Sequence, residues 1–484
     1  MAGEVMGPVR ITRRGLLGWA VAAGAAGPQP GPLAAAVGTR PSANPGGSLP
    51  EVIEADVAVV GAGASGIPAA IAAARHGARV VLLEEDAVPG GAPIDMYVSM
   101  LCGWPRAGIF REMVDRLQRH HHLAGRPVEP REELRDTWFL PTSFLQVISG
   151  MLAAESNIRL LCGAPAVEPV VREGGPRPQV KGVRIARPGG RTTEVRAAVT
   201  IDCSGTGALS EAAGAEAMYG RDGRDRFGES HGRPEPDDAV MPCTWMYISQ
   251  RFRRDADAMD FSRLLGGANE SGHGWVGADP AAARQRDAGI YLHWGCTVRC
   301  RDTRDPAALA EAQREALDRL APDIEELFRQ GFAVHLAPRI GVRECRRIVG
   351  EHVVTENDLR SGRLPDDVVG IGHYYLDAWG EKLSEQEKHL PTFGIPYRAL
   401  VPRGVEGLLT AGKIIGGSHL AMTAYRVQPI LACVGQAAGQ AAAMAALRGC
   451  GVRAVDLREL QQGLRAVGVP LSDDDPGAHP PGAG

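Results

Sequence analysis

Lysine is almost missing from this chain of 484 residues: Lys181, Lys382, Lys388 and Lys413 are the whole complement, and arginine supplies the remaining positive charge. With a formal net charge of −4, the chain has no bulk positive surface of the kind that holds nucleic acid by its phosphates. Cys-x-x-Cys is also missing. The nine cysteines are scattered, which removes support for a thioredoxin-type disulfide and for a zinc ribbon. Cys296 and Cys300 are the only close pair; they read either as a local disulfide or as small core residues. Internal repeats are absent as well. The N-terminal apolar run over 15–26 is too short and too rich in small residues to span a bilayer, so no stable membrane span is expected.

What is present describes a large globular protein. Apolar residues make up 44% and charged residues 23%, enough for two or three domains with a sizeable core. The segment Thr12-Arg13-Arg14-Gly15-Leu16-Leu17, with an Ala-x-Ala site at 34–36, resembles a twin-arginine export signal, a route for proteins folded with their cofactor already aboard. Residues 1–36 are therefore read as a cleaved leader and 37–50 as a linker. Beyond it the expected organisation is a first dinucleotide-binding part over 51–209, a substrate or cap domain over 210–335, a return segment over 336–450 and a C-terminal extension over 451–484 with a disordered end. The pattern predicts strands over 56–60 and 79–83 and helices over 65–76, 109–120, 144–154, 307–330 and 435–447. Short strands are expected over 158–202. His120-His121-His122 does not predict a metal site, because adjacent helical residues point in different directions; no metal centre is expected.

The most specific motif is Gly61-Ala62-Gly63-Ala64-Ser65-Gly66, which follows a strand and opens a helix. Gly61 permits the tight turn, Gly63 lets the backbone approach a pyrophosphate, and Gly66 lets helix and strand pack closely. The helix N-terminus offers free N–H groups and partial positive charge to phosphates. Glu84, after the second strand, suits the ribose hydroxyls. NAD and FAD share this signature. A second Gly-x-Gly-x-x-Gly unit for NAD(P)H is not expected in the remaining chain, and direct nicotinamide reduction is therefore not expected.

Several further segments resemble one family. Glu84-Glu85 followed by Gly90-Gly91 is similar to the two-dinucleotide-binding flavoproteins, with a glutathione-reductase-like FAD domain. Asp202-Cys203-Ser204-Gly205-Thr206-Gly207 resembles that group's strand end, with Thr206 in place of the usual Asp. Gly341-Val342-Arg343-Glu344-Cys345-Arg346-Arg347-Ile348-Val349-Gly350 resembles the Gly-x-Arg-Glu-x-Arg-Arg-Ile-x-Gly block of the broad FAD-dependent oxidoreductase family. Leu408-Leu409-Thr410-Ala411-Gly412-Lys413, Arg426 and Gly435-Gln436-Ala437-Ala438-Gly439 resemble its closing flavin segment. The resemblance implies an α/β fold: a Rossmann-like FAD-binding domain, with a parallel sheet and β-meander assembled from discontinuous segments, plus a mixed α+β cap. It implies FAD as cofactor, held by Gly61, Gly63, Ala64, Ser65, Gly66, Glu84, Glu85, Gly90, Gly91, Ser204, Gly205, Ala411, Gly412, Arg426, Gly435, Gln436 and Ala437. The small residues Gly435 to Gly439 suit a helix N-terminus brought close to a flat ring; tight helix packing is the alternative. Trp379 stands where relatives commonly carry histidine, two places after Asp377.

A flavin dehydrogenase often needs a base beside the ring. The return segment offers His419, His373, Asp377, Tyr374 and Tyr425, with His419 ranked first. Arg343 and Arg426 suit an anionic substrate or a flavin carbonyl, or else structural ion pairs. Cys102 is a candidate thiol near the flavin. Trp245, Tyr247, Tyr291, His293 and Trp294 are candidate pocket aromatics or plain core. The expected function is oxidation or reduction of a small organic molecule by hydride transfer to or from flavin N5, with oxygen, a quinone or a redox protein as electron acceptor. A non-redox lyase or carbohydrate-active protein, and a flavin electron-transfer partner, are the alternatives.

Overall fold

The computed structural model describes residues 51–119, 123–124, 138–187, 190–253, 264, 268–270, 274–275, 289–379 and 381–479. The expected leader and linker, the histidines His120 to His122 and much of the polar stretch over 265–290 lie outside the described residues.

The chain enters on β1 (Val52–Val60), longer than the expected 56–60 because its first residues also pair with a neighbouring strand. Its burial alternates at first and then becomes continuous, the mark of a strand covered on both faces. Helix α1 (Gly66–Arg75) and β2 (Val80–Leu83) complete the βαβ unit. Next come α2 (Gly108–Arg119) and α3 (Pro141–Ala154). The strands β3 (Ile158–Leu161), β4 (Ala166–Arg172), β5 (Gln179–Arg187) and β6 (Arg191–Asp202) follow.

The cap region contributes β7 (Cys243–Arg251), β8 (Ala268–Glu270), β9 (Gly274–Trp275) and β10 (Ile290–Val298). Helix α4 (Pro306–Arg329) and β11 (Phe332–Leu336) complete it. The return supplies β12 (Leu408–Thr410), α5 (His419–Tyr425) and α6 (Gln428–Arg448).

The main sheet has the order β3-β2-β1-β6-β5-β4, with β12 also paired to β6. Pairing is parallel from β3 through β6 and on to β12, and antiparallel through β6, β5 and β4. The length of β6 makes this possible. Its first residues pair with the meander (Arg191↔Arg187), while its last three pair with β12 (Leu408↔Thr200 to Thr410↔Asp202). The doubly wound sheet with a meander is thus assembled from discontinuous segments.

A second, five-stranded antiparallel sheet runs β9-β8-β10-β7-β11. Period-two alternation divides its residues. Cys243 and Tyr247 pack with Ala312, Ala316, Leu320 and Leu327 of α4, whereas Met246 and Ile248 join Met100 and Trp138 on the other side. Asp305 caps α4 by accepting from Ala307 N at 2.9 Å. The spacing Gly-x-Gly-x-x-Gly does recur, at 272–277, against the expectation that it would not; Gly274 and Trp275 form β9, paired with β8, and the residues after them up to 288 lie outside the described residues.

Helix α6 corrects one expectation. It starts at Gln428 rather than 435, with Pro429 in its first turn. Gly435 and Gly439 are therefore mid-helix. A Cβ on either would stand 2.1 Å from Ser65 O or 2.0 Å from Ala69 O. These glycines let α6 lie directly on α1. Among the described helices α6 alone is long and apolar enough to cross a membrane, and it is buried in the core. Cys296 and Cys300 remain thiols.

Candidate flavin site

Beyond β1 the chain turns at Gly61, where φ is +97°. A Cβ there would lie 2.6 Å from Cys203 O, and one on Gly66 would lie 1.8 Å from Gly61 O. Side chains are therefore excluded from both positions by backbone, and the loop closes tightly against β6. Glu84 accepts hydrogen bonds from Ala62 N at 2.9 Å and Asp86 N at 3.1 Å. Burial pushes its carboxyl pKa up despite these bonds. Gly90 N donates to Ala62 O at 2.8 Å, and a Cβ on Gly91 would meet Gly63 Cα at 2.8 Å. The two glycine loops thus lie backbone to backbone.

Asp202 organises the end of β6. It accepts from Ser204 N (3.0 Å) and Ser204 Oγ (2.6 Å), and from Ser210 N (3.1 Å) and Ser210 Oγ (2.6 Å). Gly412, at φ +91°, brings the return segment so close that a Cβ would lie 2.8 Å from Ser65 Oγ.

These loops line one elongated cavity of about 370 Å³. Gly61, Gly63, Ala64, Ser65, Glu84, Glu85, Gly91, Ser204, Gly205, Gly412 and Arg426 all face it, as the motifs led one to expect. Gly66, Gly90 and Ala411 stand behind that wall: Gly66 and Gly90 are turn and packing positions, and Ala411 N bonds Asp202 O at 3.0 Å. Gly435, Gln436 and Ala437 do not reach the cavity. Gly435 seats the α6–α1 contact, and Gln436 Oε1 accepts from Ile109 N at 2.9 Å. The first turn of α6 instead presents Gln428 and Leu431, with Val427 as its cap.

Arg339 was not expected here. It pairs with Glu85 at 2.8 Å and with Asp86, and it lines the cavity with Asp95. Burial, and then the charge of Asp86, push the Asp95 carboxyl up to about 7, with Arg339 pulling the other way. The folded chain therefore binds more protons than the unfolded one between the ordinary carboxyl pKa of about 4 and about 7. Stability from this group falls as pH rises through that window. Asp95→Asn should raise the melting temperature at about pH 8 and flatten the dependence between about pH 4 and 7. Identical melting profiles for variant and parent would defeat this assignment.

Toward its other end the cavity is walled by Thr244, Met246 and Trp294 of the cap sheet and by Arg343, Tyr374, Asp377, Trp379 and Lys413. Arg343 Nη1 donates to Pro242 O at 2.7 Å and Thr244 Oγ1 at 2.6 Å, and its guanidinium lies 4.5 Å from the Trp379 ring centroid. Among the described residues no carboxylate is within ion-pair distance of it. Burial, and then Arg426, lower its pKa to about 10. Arg426 pairs with Asp377 at 2.6 Å. Tyr374 is held protonated, its pKa pushed well up by burial. Lys413, whose Nζ donates to Val342 O at 2.5 Å, has its pKa lowered by burial. Its place at the end of the Leu408–Lys413 motif, and the rarity of lysine in this chain, were the sequence signals for it.

Two histidines are placed differently from the expectation. His419 is buried away from the cavity. Ser418 caps α5 and turns the imidazole inward, where Nδ1 lies 3.0 Å from Glu344 Oε1 while the backbone N donates to Asp222 at 2.8 Å. The same Glu344 oxygen accepts from Arg347 Nη1 at 2.6 Å, and Arg347 reaches Asp222 at 3.1 Å. His419 thus belongs to an ionic knot joining the cap entry to the return segment. His373 also lies outside the cavity lining and contacts Thr392. Tyr425 is buried, its hydroxyl donating to Ile415 O at 3.3 Å.

Of the candidate aromatics, Trp294 alone faces the cavity. Trp245 donates from Nε1 to Ala337 O at 2.8 Å, and Tyr247 and Tyr291 are cap core. His293 stacks on Tyr247 at 4.3 Å, and burial drops its pKa to about 3.

The model of the family described as FAD dependent oxidoreductase matches residues 56–464. The chain belongs to this FAD-dependent oxidoreductase family. FAD is accordingly its cofactor, and the residues present fit it: two glycine loops at van der Waals distance leave room only for backbone beside a phosphate, and the cavity continues from there to Trp379. The chain is similar to solved structures at low identity. One is a geranylgeranyl bacteriochlorophyll reductase-like protein from Thermoplasma acidophilum, 15% identical over 86% of this chain and 83% of that one, with a TM-score of 0.41. Another is p-nitrophenol 4-monooxygenase from Pseudomonas putida, 13% identical over 84% and 83%, with a TM-score of 0.37. A search of curated proteins returned no match.

Proposed function

We propose that this flavoprotein moves a hydride between a carbon of a small organic anion and flavin N5. We also propose that it is exported by the twin-arginine route and passes electrons to oxygen, a quinone or a redox protein. The observation that carries the substrate class is Arg343: a cavity-facing guanidinium with one carbonyl and one hydroxyl as partners. A carboxylate on the substrate completes its donor set with charge-assisted bonds.

When bound, FAD supplies the two-electron centre. The chain's own residues supply the rest. Arg343 orients the anion, and Trp379, stacked on that guanidinium, fixes its plane. Tyr374, kept protonated, donates to an oxygen of the substrate. Asp377, positioned by Arg426, takes the proton that accompanies oxidation. The cap residues Met246 and Trp294 exclude water from this end.

An anaerobic flavin-bleaching screen tests the reading, run across 2-hydroxy acids, amino acids, neutral alcohols and neutral enones. Bleaching or reoxidation confined to carboxylate-bearing compounds is expected. Turnover of neutral compounds alone, or turnover with no change in the flavin spectrum, would overturn it.

A further inference from the structure

Outside the flavin cavity, one cluster brings three metal-ligating side chains together from distant parts of the chain. His373, Asp473 and His479 present one ligand atom each, all within 4.8 Å of one another. We propose that these three side chains form a divalent transition-metal site, with zinc as a fitting ion, that clamps the C-terminal tail onto the segment forming the cavity wall.

The spacing favours an ion over direct hydrogen bonds. Both histidines aim Nε2 at the same oxygen, Asp473 Oδ1, at 3.6 Å for His373 and 3.3 Å for His479. These separations exceed the usual 2.7–3.2 Å of an N–H···O bond. They match the ligand-to-ligand edge of a tetrahedral site, roughly 3.3–3.4 Å for bonds of about 2.0–2.1 Å. Two imidazoles and one carboxylate select zinc and its neighbours over magnesium or calcium, which prefer all-oxygen shells.

The ligands are also held in place. The backbone of His373 exchanges two hydrogen bonds with Trp104, at 2.8 and 3.2 Å. Thr392 Oγ1 lies beside the His373 ring, 2.9 Å from Nε2 and 3.2 Å from Nδ1, so an ion on Nε2 takes the place of the shorter of these two contacts. On the tail, Asp475 accepts from Leu471 N at 2.7 Å, Ser472 N at 3.1 Å and Arg465 Nε at 3.0 Å. Trp104 Nε1 donates to Gly477 O at 3.0 Å, and Ala478 is buried. Asp473 and His479 therefore project from a tail already folded onto the body. Ordering entropy that would otherwise oppose binding is largely spent before the ion arrives. His373 adjoins Tyr374, so the clamp ends one residue from the cavity wall.

The test uses the untagged, FAD-loaded full chain, dialysed against zinc and assayed by elemental analysis and calorimetry. One equivalent per chain is expected, unaffected by excess magnesium. A cobalt-loaded sample should show the d–d absorption of a four-coordinate ion. His479→Ala and Asp473→Asn should each abolish that equivalent. Hydrogen exchange over residues 471–479 should slow with zinc in the parent and stay unchanged in His479→Ala. Failure of the parent to bind zinc, or the same uptake by His479→Ala and Asp473→Asn, would overturn the proposal.

Discussion

Replacing Arg343 by methionine should lower kcat/KM for an anionic substrate by about 10²–10³-fold, because losing one partner of a desolvated charge pair costs about 3–4 kcal/mol. Flavin content should remain at the parental level. The pairing of effects is what makes the test sharp. In the substrate-free protein this guanidinium is buried beside Arg426, and its pKa is depressed to about 10. Its charge is therefore a burden to the fold, and removing it should leave the melting temperature level or raise it. A purely structural arginine would show the reverse, with lost stability and equal losses on neutral and anionic substrates. Steady-state kinetics on two compounds differing only in a carboxylate, alongside thermal melts, separates the cases.

The second large effect concerns the glycine loop. In Gly66→Ala the added methyl would sit 1.8 Å from Gly61 O and 3.2 Å from the Cys203 side chain. Neither backbone nor strand can yield by that much without opening the turn that receives the phosphates. Overpacking of this kind costs about 3 kcal/mol, equivalent to roughly a hundredfold loss of FAD affinity. The variant should purify nearly colourless, and any flavin retained should dissociate on dilution. Ala64→Gly, in the same loop, adds no atom and should stay yellow. A yellow Gly66→Ala protein with parental affinity would show that the phosphates bind elsewhere.

The contrast between Gly66 and Gly435 explains how far the sequence could be read. Gly66 lies in a local motif: the strand before it, the helix after it and the spacing of three glycines all fall within one short stretch, so its role is a local matter. Gly435 lies in an equally small-residued stretch, and the motif resemblance assigned it to the flavin. Its actual neighbour is Ser65, the N-cap of α1, a contact between segments far apart along the chain. Small residues suit a helix crossing and a cofactor equally well, so composition could not choose between them. Helix α6 begins seven residues earlier than its small-residue run because Val427 and Pro429 start it, and neither is apolar-periodic.

His419 shows the same limit for polar groups. A histidine beside a flavin-binding loop was a reasonable base, and chain proximity to Gly412 was real. Its side-chain direction, however, was set by Glu344, which partners the imidazole, while Asp222 holds the backbone N; both come from elsewhere in the chain. The residues that do face the cavity, such as Thr244, Trp294 and Lys413, come from strands and loops whose only common property is where the tertiary fold puts them.

By itself the sequence determined the dinucleotide loop, the division of the main sheet between an early and a late segment, the family and the cofactor. The loop rests on short-range backbone rules: a turn that needs glycine, a strand buried on both faces, a helix N-terminus free for phosphate; the divided sheet, the family and FAD rest on the resemblance of several ordered segments to one family. Only the tertiary structure decided which polar groups line the cavity and which are tied into the ionic knot. Burial and pairing of charges depend on residues far apart along the chain, and a charge that looks available in sequence is available in the protein only if no distant partner has already claimed it.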